Sequence, residues 1–161
     1  MPEDGTVYLD DVTSAHAVIN ICGPQSRMVL EKLTDNDVSN EAFKFATHQE
    51  INIGVAARVR AIRIGYVGEL GWELHIPSEW AAYIYDQLWE AGQEFEIANI
   101  GYRAIDSLRM EKGYLYWSSD ITPDYNPYEA GLGFRVHLKS KGDFIGRRAL
   151  EKIVAEGIRC V

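Results

Sequence analysis

Gly65-Tyr66-Val67-Gly68-Glu69-Leu70-Gly71-Trp72-Glu73-Leu74 sets two acids and a tyrosine among three glycines at the mouth of a strand. Side chains of a strand alternate in direction, so a strand opening at Gly71 sends Trp72, Leu74 and Ile76 to one face and Glu73 and His75 to the other. An acid opposite an apolar face is either solvated or holds a ligand that offers two adjacent hydrogen-bond donors. A period of two does not choose between them.

Working outward, residues 55–64 alternate in the same way, with Val55, Ala57, Val59 and Ala61 against Arg58 and Arg60. The glycine-rich turn therefore joins two strands as a hairpin. Downstream, Ser78 is the expected N-cap of a helix carrying Trp80, Tyr83, Ile84, Leu88 and Ala91 at helical spacing as far as Gly92. A second long helix is expected over 100–112, with Ile100, Ala104 and Leu108 in register and Gly113 as its stop. Upstream, residues 16–22 read as a mostly buried strand, and Gly23-Pro24 opens a helix to about Leu33 whose apolar residues are Met28, Val29 and Leu33.

Residues 34–53 carry no clear period. Residues 118–129, with Pro123 and Pro127, read as loop; 131–138 alternate as a last strand; a C-terminal helix is expected from Arg147 to about Ala155, with Asp143 or Gly146 near its cap. This order predicts an α+β fold, an antiparallel sheet with helices packed on one face. No repeat or linker-like composition interrupts the 161 residues, so one unit is expected over 1–161.

Composition narrows the function classes. Hydrophobic residues at 47% and charged ones at 25% describe a globular chain, with no apolar run near the roughly 20 residues a bilayer span needs and no signal-like start. The net charge of −8 disfavours nucleic-acid binding. Local basic groups at Arg58, Arg60 and Arg63 and at Arg147 and Arg148 offer a place for a small anionic ligand, but read first as solvated strand or helix faces. Cys22 and Cys160 are too few and too far apart for a disulfide framework, which favours a reducing compartment.

The spacing Gly65-x-x-Gly68-x-x-Gly71 precedes a strand, so it is not the dinucleotide fingerprint. His16, His48, His75 and His137 lack a second ligand at helical spacing, which leaves zinc without support, and no serine sits in a nucleophile elbow. What remains is Tyr66, Glu69 and Glu73 on the turn and Arg103, Asp106, Arg109 and Glu111 on the next helix. Asp106 and Arg109, three apart, are expected to pair on the helix surface, a contact worth about 0.2–0.5 kcal/mol.

Four ordered motifs carry a resemblance: the Gly65 to Glu73 turn; Gly101-Tyr102-Arg103-Ala104-Ile105-Asp106-Ser107-Leu108-Arg109 continuing to Glu111-Lys112-Gly113-Tyr114; Asn126-Pro127-x-Glu129-Ala130-Gly131-Leu132; and Phe144-Ile145-Gly146-Arg147. Over residues 8–150 the chain resembles the folate-binding aminomethyltransferase family of the glycine cleavage system, in the branch fused to sarcosine- and dimethylglycine-oxidising flavin dehydrogenases.

The resemblance implies tetrahydrofolate as ligand, with Glu73 accepting two hydrogen bonds from its amino-pyrimidine edge, Tyr66 lining the same pocket and Glu69 shaping the turn. The family's transferase branch has an arginine where this chain has Ile105, so the cation it supplies is either missing here or replaced by Arg103. The family's catalytic aspartate belongs to an earlier half-domain; the acid pair Asp10-Asp11 stands in the wrong context, and no catalytic residue is assigned. The resemblance also implies that the chain is the second half of a folate-binding module, with the FAD domain, the first folate half and a C-terminal barrel absent. Its partners are then folate and the rest of a parent polypeptide, in a bacterial cytoplasm or a mitochondrial matrix; apart from the resemblance, an open edge of the antiparallel sheet offers a route to a homodimer. The competing reading is a non-catalytic regulatory or scaffolding relative of the same fold.

Overall fold

A computed structural model describes residues 4–139 and 142–157, and the first expected strand forms with its expected bounds as β1, His16–Cys22, but it is not mostly buried: Ile21 is its one buried residue. Three more strands follow, β2 (His48–Ile53), β3 (Ala56–Ile62) and β4 (Gly71–Pro77). They make an antiparallel sheet in the order β1, β4, β3, β2, so β4 is interior and β1 is an edge. The chain divides into two units, Met1–Lys112 and Gly113–Val161, and the sheet belongs to the first.

Alternation on β4 is as read from the sequence. Trp72, Leu74 and Ile76 are buried, while Glu73 and His75 are half-buried on the other face. Two helices cover the Trp72 face, α1 (Ser26–Glu31) through Val29 and Leu30, and α2 (Ala81–Gly92) through Ile84 and Leu88. The Trp72 ring meets Phe43 edge-on, with centroids 6.2 Å apart. Arg27 and Arg63 also lie over it, 5.3 and 6.0 Å from the ring centre. Both guanidiniums donate to the Asn40 side-chain oxygen, at 2.7 and 2.6 Å. Arg63 is half-buried and also donates to the Phe43 carbonyl, so it packs against the Trp72 ring and is not a solvated face; burial and the neighbouring Arg27 charge lower its pKa.

Strand β3 departs from the expected alternation. Val59 and Ala61 are buried as expected, but Val55 and Ala57 are exposed and Ala56 is buried in their place. Arg58 has a left-handed backbone with φ +60°, and the pairing with β2 slips between Ile51 and Ile53. An extra residue in one strand exchanges the two faces beyond it. Asn52 holds this bulge by accepting the Arg58 N–H at 3.1 Å, and Arg58 pairs with Glu50.

Helix boundaries shift in two places. Helix α1 ends at Glu31, short of Leu33. Ser78 does not cap α2: it opens a 3-10 turn, Ser78–Trp80, and its hydroxyl donates to the Ser14 carbonyl at 2.9 Å. Helix α3 (Tyr102–Glu111) forms where expected, and Gly113 follows it with φ +69°.

In the second unit the expected strand over 131–138 is absent. Gly133–Arg135 form a 3-10 turn, with the Arg135 and Val136 N–H groups bonded to the carbonyls of Leu132 and Gly133. Alternation is necessary for a half-buried strand, yet a strand also needs a partner, and no described residue pairs with this stretch in a ladder. Helix α4 (Arg147–Glu156) starts at Gly146, whose φ is +92°. Cys22 is a free thiol; Cys160 lies outside the described residues.

Candidate functional site

Glu73 leaves β4 between two neighbours in register, Asn20 on β1 and Ile62 on β3. Its nearest ionisable partner is His75, whose Nε2 is 3.7 Å from the carboxylate. That is too long for a hydrogen bond. The Glu73 carboxylate accepts no hydrogen bond from any described residue, so its acceptor capacity is intact.

The turn before β4 explains how Tyr66 comes close. Gly68 has φ +74°, and Gly71 packs so tightly on β1 that a Cβ there would meet the Ile21 carbonyl oxygen at 2.5 Å. Removing either glycine's freedom would swing the turn away from β1. Tyr66 and Glu73 then line one cavity of about 390 Å³. Ligand sites run from roughly 300 to 1,000 Å³, so this is a small one.

Four consecutive residues of β1, Ile19 to Cys22, also line it. Ile19 and Ile21 point to one face and Asn20 and Cys22 to the other, so the cavity curls round the open edge of the sheet. The Gly23 N–H bonds to the Leu70 carbonyl at 2.8 Å, which fixes the parity of the ladder and turns the peptide groups of Asn20 and Cys22 outward, toward that edge. Helix α2 adds Tyr85 and Trp89, the segment after it adds Asn99, and α3 adds Ile105.

Among the lining residues, Glu73 is the one that carries a formal charge. Arg103 is exposed and does not line the cavity, whereas Ile105 does. Two residues apart on a helix is about 200° of rotation, so the two cannot share a wall. Glu69 is exposed and outside the lining, yet its charge reaches the site: burial first, and the Glu69 carboxylate second, push the Cys22 thiol pKa up. Cys22 is therefore held as a neutral thiol at the cavity wall.

The expected surface pair on α3 forms, with Arg109 bonded to Asp106 at 2.7 and 2.8 Å. It is not a surface pair, however, since Arg109 is only 5% exposed. Burial of a guanidinium is costly without such a partner, so this pair is part of the packing. No group of described residues is arranged to hold a metal ion, and no described helix is long and apolar enough to cross a membrane.

Sequence reasoning missed Tyr85, Trp89 and Asn99. The signal available was two aromatic residues four apart on α2 but off its buried stripe of Ile84 and Leu88. Such a pair is neither core nor a typical solvated face.

Comparison with known proteins places this geometry in a family. The family described as GCVT N-terminal domain matches residues 1–140. Sarcosine dehydrogenase, mitochondrial, of Mus musculus is 48% identical over 151 residues, which are 94% of this chain and 16% of that protein. Dimethylglycine dehydrogenase, mitochondrial, of Mus musculus is 43% identical over 153 residues, 95% of this chain and 18% of that protein. The chain thus spans less than a fifth of these relatives. A solved structure of the heterotetrameric sarcosine oxidase from Corynebacterium sp. U-96, in complex with pyrrole 2-carboxylate, superposes with a TM-score of 0.52 at 19% identity, covering 62% of this chain and 49% of that one, and shares the fold. With 140 of its 161 residues matched, the chain belongs to the GCVT N-terminal domain family.

Proposed function

We propose that the chain is the tetrahydrofolate-binding part of a longer oxidoreductase resembling sarcosine and dimethylglycine dehydrogenases, one that passes a one-carbon unit from an N-methyl amine to folate. One observation carries this reading: the Glu73 carboxylate, which accepts no hydrogen bond from a described residue and has His75 3.7 Å away, is the sole formal charge among lining residues that are mostly apolar and aromatic. A flat neutral heterocycle with two adjacent N–H donors fits that chemistry, because a carboxylate accepts both in a fork. Apolar walls make each of those bonds stronger than it would be in water.

Tetrahydrofolate, when bound, supplies the amine that accepts the one-carbon unit. The residues of this chain bind and orient. Glu73 fixes the amino-pyrimidine edge, Tyr66 closes the same wall, and Ile105 keeps water from the α3 side. Ile105 occupies the wall that Arg103 does not reach, so this reading assigns Arg103 no ligand contact. Holding a reacting atom in place lowers a barrier by several kcal/mol without any proton transfer from the protein. FAD belongs, in this reading, to another part of the longer protein, in a mitochondrial matrix or a bacterial cytoplasm, and this chain is the second half of the folate module.

Half a module binds weakly. Calorimetry of the chain with tetrahydrofolate is expected to give an affinity weaker than micromolar and no turnover. Glu73→Gln replaces an acceptor pair by one acceptor and one donor facing the ligand's donors, at a cost of about 1.5–3 kcal/mol. Unchanged affinity in Glu73→Gln would remove the reading's support.

A further inference from the structure

Tyr85 and Trp89 stand one helical turn apart on α2 with their rings stacked, centroids 6.2 Å apart and planes 13° from parallel. Asn99 donates its side-chain N–H to the Tyr85 hydroxyl at 2.7 Å, which locks the first ring in place. Neither ring belongs to the buried hydrophobic core, and both are more than a third exposed, at 40% and 38%. Large apolar rings held rigid and left open do not add to packing. Both line the cavity that Glu73 lines.

Glu73 sits on the sheet and the aromatic pair on the helix layer, with the open edge of β1 between them, so the cavity offers two recognition features to one ligand. The carboxylate takes a donor pair. The rings offer a flat apolar platform to a second aromatic group.

We infer that Tyr85 and Trp89 form a stacking platform for a neutral aryl arm, so that the cavity takes a two-part ligand: a reduced pterin head at Glu73 and an aromatic ring on α2. This rests on the folate reading above and extends it to the aminobenzoyl half of the molecule. Lack of charge along the α2 side of the wall fits an uncharged arm. The Asn99 bond to Tyr85 orients the platform before a ligand arrives, which limits the ordering cost of binding.

Two probes separate the halves of this claim, formyltetrahydrofolate, which has the aryl arm, and methyltetrahydropterin, which lacks it. Each is titrated to millimolar concentration into the 161-residue chain and its variants, with indole and amide NMR shifts as the readout. Trp89→Ala is expected to weaken formyltetrahydrofolate about tenfold, as loss of one ring-stacking partner does, and to leave methyltetrahydropterin within about twofold. Trp89→Phe keeps a ring and is expected to restore most of the folate affinity. Glu73→Gln is expected to weaken both probes. The platform is overturned if Trp89→Ala binds formyltetrahydrofolate like the parent chain, if it loses both probes equally, or if the parent chain binds the two probes alike. In the last case the Glu73 reading stands alone. If the parent chain binds neither probe, both readings fail.

Discussion

The two units of the chain are held together by different forces. Every buried residue among those described lies between Ile21 and Arg109, in the first unit. The second unit has none: Trp117 is 60% exposed, Phe134 67%, and Ile145 fully so. Its order comes from local polar bonds instead. Asn126 accepts the N–H groups of Tyr128 and Glu129, while Glu129 accepts that of Asn126, and Arg147 reaches back to the carbonyls of Leu138 and Gly142. Each such bond contributes about 0.5–1.5 kcal/mol net, comparable to one or two buried methylene groups. Apolar content therefore does not mark the stable region of this molecule; burial of that content does.

Trp72→Ala is the strongest way to break that contrast. It removes the largest fully buried side chain and leaves the Arg27 and Arg63 guanidiniums without the ring they face. The expected loss is about 3–5 kcal/mol, read as a drop in the urea midpoint of the first unit. A loss under about 1 kcal/mol would mean that the core relaxes into the space, and the two units would then differ less than their burial implies.

Glycine substitutions sharpen the contrast at the next size down. An alanine at Gly71 would set its Cβ 2.5 Å from the Ile21 carbonyl and 3.1 Å from Cys22, so β1 and β4 must part. Overpacking of this kind costs about 1–3 kcal/mol, and the cavity along β1 should deform with it. Gly131, in the second unit, has φ +69° with nothing within 4 Å of a Cβ. Gly131→Ala then strains only its own backbone, at about 1–2 kcal/mol, and should leave the first unit's midpoint unchanged. Hydrogen exchange on both variants separates a clash with neighbours from a purely local penalty.

Much of the first unit is legible in its sequence because pattern and environment agree there. The alternation of β4, the strand of β1 and the stop after α3 are local features enforced by local residues. The misplaced face of Val55 and Ala57 has a different origin, since one left-handed residue at Arg58 reverses parity and no apolar periodicity announces it. The strand expected over 131–138 fails for a non-local reason, the lack of a partner. The site divides in the same way. Tyr66 and Glu73 follow from one continuous turn, whereas the wall of Tyr85, Trp89 and Ile105 is assembled from two helices and depends on how far each is rotated. Arg103 and Ile105 differ by two positions and by opposite sides of α3, a distinction that rests on where that helix docks.

Phe134→Ala is the smallest perturbation. The ring is 67% exposed, and among the described residues the Arg135 guanidinium lies 5.0 Å above it. Losing an exposed cation–π contact costs about 0.5–1 kcal/mol at most, so urea unfolding of the dilute chain should barely move. A larger loss requires that Phe134 be covered by something, and within a pure sample the available cover is a second copy. Association of that kind depends on concentration, as would pairing through the open edges of β1 and β2. Light scattering across a hundredfold dilution, on the parent chain and on Phe134→Ala, therefore tells the cases apart. A mass independent of dilution leaves the second unit's apolar side chains contributing nothing to this chain's own stability, whereas a dimer lost only in Phe134→Ala gives them a partner and removes the contrast between the units.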